Sequence, residues 1–138
     1  GKAPKRITPE HNIGEDPLRF NWRTPVLMSH FNPDILYFSA QKVYRSLDRG
    51  DTWQAISPDL TKGLPSGNVP YSSISVFSES PLDVQVLYVG TDDGNVQVSK
   101  NGGATWQNIT PSQVAGRWIS GVVASPHQAG TVFLTFNG

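Results

Sequence analysis

The chain has 138 residues, eleven acidic side chains against eleven basic ones, no cysteine, and an abundance of glycine and proline, thirteen and eleven respectively. Zero net charge removes the electrostatic footprint for nucleic acid or an anionic membrane surface, and no apolar run approaches the ~18 residues of a membrane helix. The missing thiols exclude disulfides, thiolate catalysis and Cys-based metal sites.

Residues 1–23 read as a polar, irregular arm broken by Pro4, Pro9 and Pro17, with Phe20 and Trp22 as its anchors. Residues 24–61 then predict four strands, over 25–30, 35–40, 42–47 and 52–57. The second is almost wholly apolar, as expected of a strand covered on both faces. Residues 62–112 repeat the plan with strands over 73–78, 85–91, 96–99 and 105–109. Asp92-Asp93-Gly94-Asn95 joins two of these as a hairpin, its Asp-Gly dipeptide suggesting a primed turn. Residues 113–138 begin a third unit at Trp118, in which Val132-Phe133-Leu134 echoes Leu87-Tyr88-Val89. Gly1 opens the chain without a leader, so both ends read as cut points within a longer sequence.

One eight-residue phrase occurs twice. Ser46-Leu47-Asp48-Arg49-Gly50-Asp51-Thr52-Trp53 returns as Ser99-Lys100-Asn101-Gly102-Gly103-Ala104-Thr105-Trp106, displaced by 53 residues. A period of this size belongs to architectures of repeated β units. Asp48 and Asn101 are placed to accept backbone N–H groups and close a turn. Gly50 and Gly103 supply a positive φ. Thr52 and Thr105 open the outgoing strand, and Trp53 and Trp106 point inward between sheets. Burying one indole removes ~150–250 Å² from water, on the order of 4–6 kcal/mol, so the ring outweighs the turn. Asn101 gives up the charge-assisted part of its bonds, and Gly102-Gly103 eases the turn in compensation.

The phrase, Ser-x-[Asp/Asn]-x-Gly-x-Thr-Trp, is identified as the Asp-box or bacterial neuraminidase repeat. From residue 22 to residue 138 the chain resembles the β-propellers that carry it, among them sialidases, xyloglucanases, photosystem assembly factors and sortilin-type receptors. The flanks, Val43-Tyr44-Arg45-Ser46 and Ile56-Ser57-Pro58-Asp59-Leu60-Thr61, look most like large secreted bacterial proteins of sortilin-like or glycosyl-hydrolase-like kind. The resemblance implies an all-β fold of consecutive four-stranded antiparallel blades, about two and a half of them, from a larger propeller. Closed propellers have at least four blades. Further blades or self-association are therefore expected to cover the open sheet faces.

The resemblance also places ligands on the loops between second and third strands and between successive units. Here those loops carry Asp59, Lys62, Tyr71, Asp92, Asp93, Arg117 and Trp118. Asp59, Tyr71, Asp92, Asp93, Arg117 and Trp118 are the candidate ligand-binding set, an aromatic and polar face suited to a sugar ring or a peptide. The opposing reading makes them solvated loop residues, with Trp118 in the core. No catalytic constellation stands out. A glycosidase holds its two carboxyls across a cleft, roughly 5–9.5 Å apart, whereas neighbouring Asp92 and Asp93 point apart. No alternating acidic run suits calcium. The arginine triad and opening phrase of sialidases are not matched, and His11, His30 and His127 stand far apart. Arg49-Gly50-Asp51 and Asn108-Ile109-Thr110 spell an integrin tripeptide and a glycosylation sequon, and both are better read as turn and strand chemistry.

The leading expectation is a non-catalytic scaffold or recognition module that binds protein or glycan through its loop face, without cofactor or metal. The alternative is a piece of a secreted glycoside hydrolase, sialidase- or xyloglucanase-like, whose catalytic residues lie outside this chain. A purely structural blade pair is the third reading. A bacterial origin and an extracellular or periplasmic location go with the resemblance.

Overall fold

Alternating apolar side chains bounded by Gly, Pro and Asx turns produce ten short strands, seen in a computed structural model that describes residues 26–61, 73–114, 117–128 and 130–137. The arm with Phe20 and Trp22 lies outside these residues. The first sheet runs in order through β1 (Val26–Met28), β2 (Leu36–Ser39), β3 (Val43–Ser46) and β4 (Gln54–Ala55). The second repeats it with β5 (Ile74–Glu79), β6 (Leu87–Thr91), β7 (Val96–Ser99) and β8 (Gln107–Asn108). A 3-10 turn at Ser112–Val114 leads to the third, β9 (Trp118–Ala124) paired with β10 (Val132–Asn137). Every pairing is antiparallel.

The two complete sheets are in register. Leu36 faces Ser46 across β2 and β3, as Leu87 faces Ser99 across β6 and β7. Their core-facing positions follow from the period-two alternation. Leu27, Ile35, Tyr37, Val43 and Ile56 of the first sheet pack on Ile74, Phe77, Leu87, Val89 and Trp106 of the second. The opposite face of the second sheet, with Val76, Tyr88 and Val98, packs on Val122, Ala124, Val132 and Leu134 of the third. Covered on both sides, β6 is buried along its whole length. Gly90 is required at this second joint, since a Cβ there would lie 2.3 Å from Ile119 Cγ2. Exposed apolar side chains remain on the end faces: Val26 and Met28 are 47% and 57% exposed on the first sheet, whose Phe38 and Tyr44 are buried, and Val123 and Phe133 58% and 60% on the third.

The twin hairpins share one hydrogen-bond plan. Ser46 Oγ accepts from Gly50 N at 2.7 Å, as Ser99 Oγ accepts from Gly103 N at 2.8 Å. Asp48 accepts from Thr52 N and Thr52 Oγ1 at 2.8 and 2.6 Å. In the second copy the polarity of one bond reverses: Asn101 Nδ2 donates to Thr105 Oγ1 at 2.7 Å, while Asn101 Oδ1 still accepts from Thr105 N at 2.9 Å. The Thr52 hydroxyl, the Thr52 amide and the Ser46 hydroxyl together hold the Asp48 carboxyl down at about 2. Gly50 and Gly103 take φ of 93° and 98° as expected, and Arg49 takes a left-handed φ of 59° where the second copy has Gly102 at 69°.

Three expectations need correction. The outermost strands are short, starting at Gln54 and Gln107, because Thr52 and Thr105 are held back by the turn acceptors. The β6–β7 connection is not a primed turn. Arg49 is the one non-glycine with positive φ among the described residues, so Asp92 and Asp93 keep ordinary backbone and only Gly94, at φ 95°, turns left-handed. Finally, both indoles are half-buried rather than fully enclosed. Trp106 wedges against the first sheet, donating from Nε1 to Ile56 O at 3.0 Å and Gly103 O at 3.1 Å. Trp53 stands edge-on to Phe38, ring centroids 6.1 Å apart, and its Nε1 is buried without a hydrogen-bond partner.

Candidate functional site

The loop face between the first two sheets is built around buried polar groups. Asp92, in the β6–β7 hairpin, accepts from Ser73 N and Ser73 Oγ, both at 3.0 Å, and the Ser73 carbonyl accepts from Asp92 N at 3.0 Å. Asp93 accepts from Thr91 Oγ1 at 2.5 Å. Both carboxylates are only 2% exposed. The sequence reading had them accessible, whether as ligands or as solvated turn residues; they are instead interior groups that fix the loop. Asn95 Nδ2 and Gln97 Nε2 donate to the Leu60 carbonyl at 3.1 and 3.2 Å, tying the hairpin to the segment that carries Asp59. Leu60 N in turn donates to Gln41 O, and Ile74 N to Ala40 O.

The other candidates are spread out. Asp59 is exposed, and its Oδ1 accepts from Thr61 N and Thr61 Oγ1 at 2.9 and 2.6 Å. Arg117 is exposed, with its guanidinium carbon 5.3 Å from the centre of the Phe136 ring on the third sheet. Trp118 opens β9 opposite Asn137, and Tyr71 lies outside the described residues. Of the six, Asp92 and Asp93 are therefore buried and Asp59 and Arg117 exposed, while Tyr71 and the Trp118 side chain lie outside the described residues. No group of three His, Cys, Asp or Glu side chains converges on a metal position among the described residues.

Three polar residues that sequence reasoning passed over meet between the first two sheets. Glu79, 1% exposed at the end of β5, accepts from Ser29 Oγ at 2.7 Å and from His30 N at 2.6 Å, both on the first sheet's side. Tyr37 packs on Phe77 with centroids 5.0 Å apart. Its hydroxyl interacts with both Glu79 and Arg45, and burial first, then the Glu79 charge, pushes the phenol up to about 12. Arg45, half-buried, also donates to Gly102 O at 3.4 Å. The sequence did hold a signal for Glu79: it shares a strand face with Phe77, so a carboxylate appears where the alternation calls for an apolar side chain.

Outside this trio the joint opens into a groove of about 650 Å³, walled by residues 54–58 of the first sheet and 101–104 of the second hairpin. Arg45 and Tyr37 lie at its base.

No family model matches the chain. A xyloglucanase from Paenibacillus sp is 35% identical over 79 residues, which is 56% of this chain and 7% of that protein. A crystal structure of an ancestral GH74 enzyme matches 86% of the chain with a TM-score of 0.64 at 16% identity. The three sheets are propeller blades. The chain spans 14% of the solved enzyme, so these blades correspond to a small sector of it. At the first joint the described residues thus include a loop face of buried polar groups and a groove between residues 54–58 and 101–104.

Proposed function

We propose that these blades are a sector of a propeller glycoside hydrolase acting on xyloglucan or a related polysaccharide, exported from a bacterial cell. The match to a xyloglucanase over more than half of the chain carries this reading. In it the twin hairpins are Asp-boxes of successive blades, and the sector supplies framework and loop face. Asp92 and Asp93 are locked in internal hydrogen bonds and Asp59 is engaged by Thr61, an arrangement that suits support of a substrate channel rather than proton transfer. The catalytic carboxyls then belong to other blades. Those blades also cover the end faces, where Val26, Met28, Val123 and Phe133 are exposed.

A second reading, a recognition module without catalysis, is favoured by the cross-blade bonding of the loop face, where Asn95 and Gln97 of the second blade both donate to the Leu60 carbonyl of the first. The two separate in one experiment: reducing-end release from xyloglucan by the complete propeller and by this chain alone. Hydrolysis by the complete propeller and none by the chain supports the first reading. Retention on the polysaccharide without cleavage transfers support to the second, and inertness of the complete propeller toward xyloglucan overturns the proposed substrate.

A further inference from the structure

We propose that the groove between the first two blades docks an extended acidic peptide, with Arg45 as its carboxylate receptor. The internal repeat makes Arg45 conspicuous. Tyr37 pairs with Arg45 across β2 and β3, and the matching pair in the next blade is Tyr88 with Val98. Val98 is 4% exposed and packs in the second joint. The first joint therefore holds a guanidinium where its twin holds a core valine.

A half-buried cation at such a position is costly unless a counter-ion meets it. Arg45 forms no ion pair with any described carboxylate; its contacts are the Tyr37 hydroxyl and a long bond to Gly102 O. Glu79 stands beyond ion-pair reach across Tyr37, with its oxygens taken by Ser29 and His30. Arg45 is also the one charged residue lining the groove. Its planar fork suits a carboxylate brought from outside.

The shape of the groove selects a peptide. Its walls are two continuous runs of backbone, 54–58 and 101–104. One of them contains β4, which pairs with β3 on one side only and so offers its outer edge to a further strand. A sugar would want an exposed ring to stack on. The one aromatic in the lining, Tyr37, is 2% exposed.

The test uses the whole chain and a fluorescein-labelled peptide of alternating Glu and Thr, with an otherwise identical Gln and Thr peptide as control, read by fluorescence anisotropy at low salt. The Glu peptide is expected to bind and the Gln peptide to bind at least about tenfold more weakly. Arg45→Val, which installs the neighbouring blade's own residue, should remove that difference. Gln54→Glu, which sets a carboxylate directly across the strands from Arg45, should weaken the Glu peptide by about tenfold without lowering the urea midpoint. Failure of the Glu peptide to bind, equal binding of the two peptides, or wild-type affinity in the Gln54→Glu variant overturns the proposal. Saturable binding of polygalacturonate in the groove in place of the Glu peptide overturns the assignment to a peptide.

Discussion

Replacing Trp53 and Trp106 by Phe removes the same N–H from the same position of two matched hairpins, yet the costs should differ. Trp106 Nε1 is shared between Ile56 O and Gly103 O, at 3.0 and 3.1 Å. A net hydrogen bond contributes about 0.5–1.5 kcal/mol, and a partner left buried and unsatisfied costs about 1–3 kcal/mol. Trp53 Nε1 is already buried and unpartnered, so Phe at that site removes a standing penalty of similar size. The loss of ring area is common to both substitutions and cancels in the comparison. Trp106→Phe is therefore expected to be the more destabilising by about 2 kcal/mol. Urea unfolding followed by far-ultraviolet circular dichroism, with m-values required to agree, measures the difference. Equal losses for the two variants, or a greater loss at Trp53, would refute the idea that Trp106 is bonded to the preceding blade while Trp53 is not.

Three further outcomes follow from single contacts. The Asp48 carboxyl titrates near 3.8 when unfolded and at about 2 when folded, so its support is complete above the first value and disappears as pH falls through the second. Asp48→Asn should flatten that part of the acid limb in a pH series of unfolding midpoints, and an unaltered limb would count against the carboxylate. Gly103→Ala would set a Cβ 2.8 Å from Ile56 O at φ +98°, whereas Gly130, at φ +82°, has open space around it. Both substitutions incur about 1–2 kcal/mol of left-handed strain, and Gly103→Ala should add about 1–3 kcal/mol from the clash; matching thermal shifts would contradict the packing of this hairpin on the first blade. Asp93→Ala, at a position the opposing sequence reading makes a solvated loop residue, should cost about 1–3 kcal/mol because the buried Thr91 hydroxyl loses its short acceptor and keeps only the long contact to Asn95 O. A denaturation curve superposable on the parent's would restore the exposed-turn reading.

The strands were legible because alternation and turn chemistry act locally. Leu36, Phe38, Tyr44 and Ser46 reveal a meander without any knowledge of their neighbours, and Gly50 and Gly103 mark the bends through backbone sterics alone. Burial of the turn acids was not legible for the opposite reason. Asp92 is enclosed by Ser73, and Asn95 by the Leu60 carbonyl, groups 19 and 35 residues away in sequence. The same holds for Trp53 and Trp106. Two nearly identical phrases meet different surroundings because the acceptor that completes the indole belongs to the blade before it, and a local pattern carries no information about that blade.

The two joints of this sector also show how one repeat makes two kinds of interface. At the second, Gly90 lets Ile119 approach the sheet directly, and Val98 and Val122 fill the remaining space. At the first, the position of Gly90 is held by Ser39 and that of Val98 by Arg45. Arg45 lines the groove between the outer strands, beside the contact of Trp106 and Gly103 with Ile56. An apolar first joint would pack as tightly as the second. A pair of valine substitutions tests this more directly than any single one: Arg45→Val with Gln54→Val should raise the urea midpoint if the blades can close, because the half-buried cation is replaced by packed surface. A fall in the midpoint would mean that Arg45 is needed to hold the joint, and that the groove is framework rather than a place for a partner.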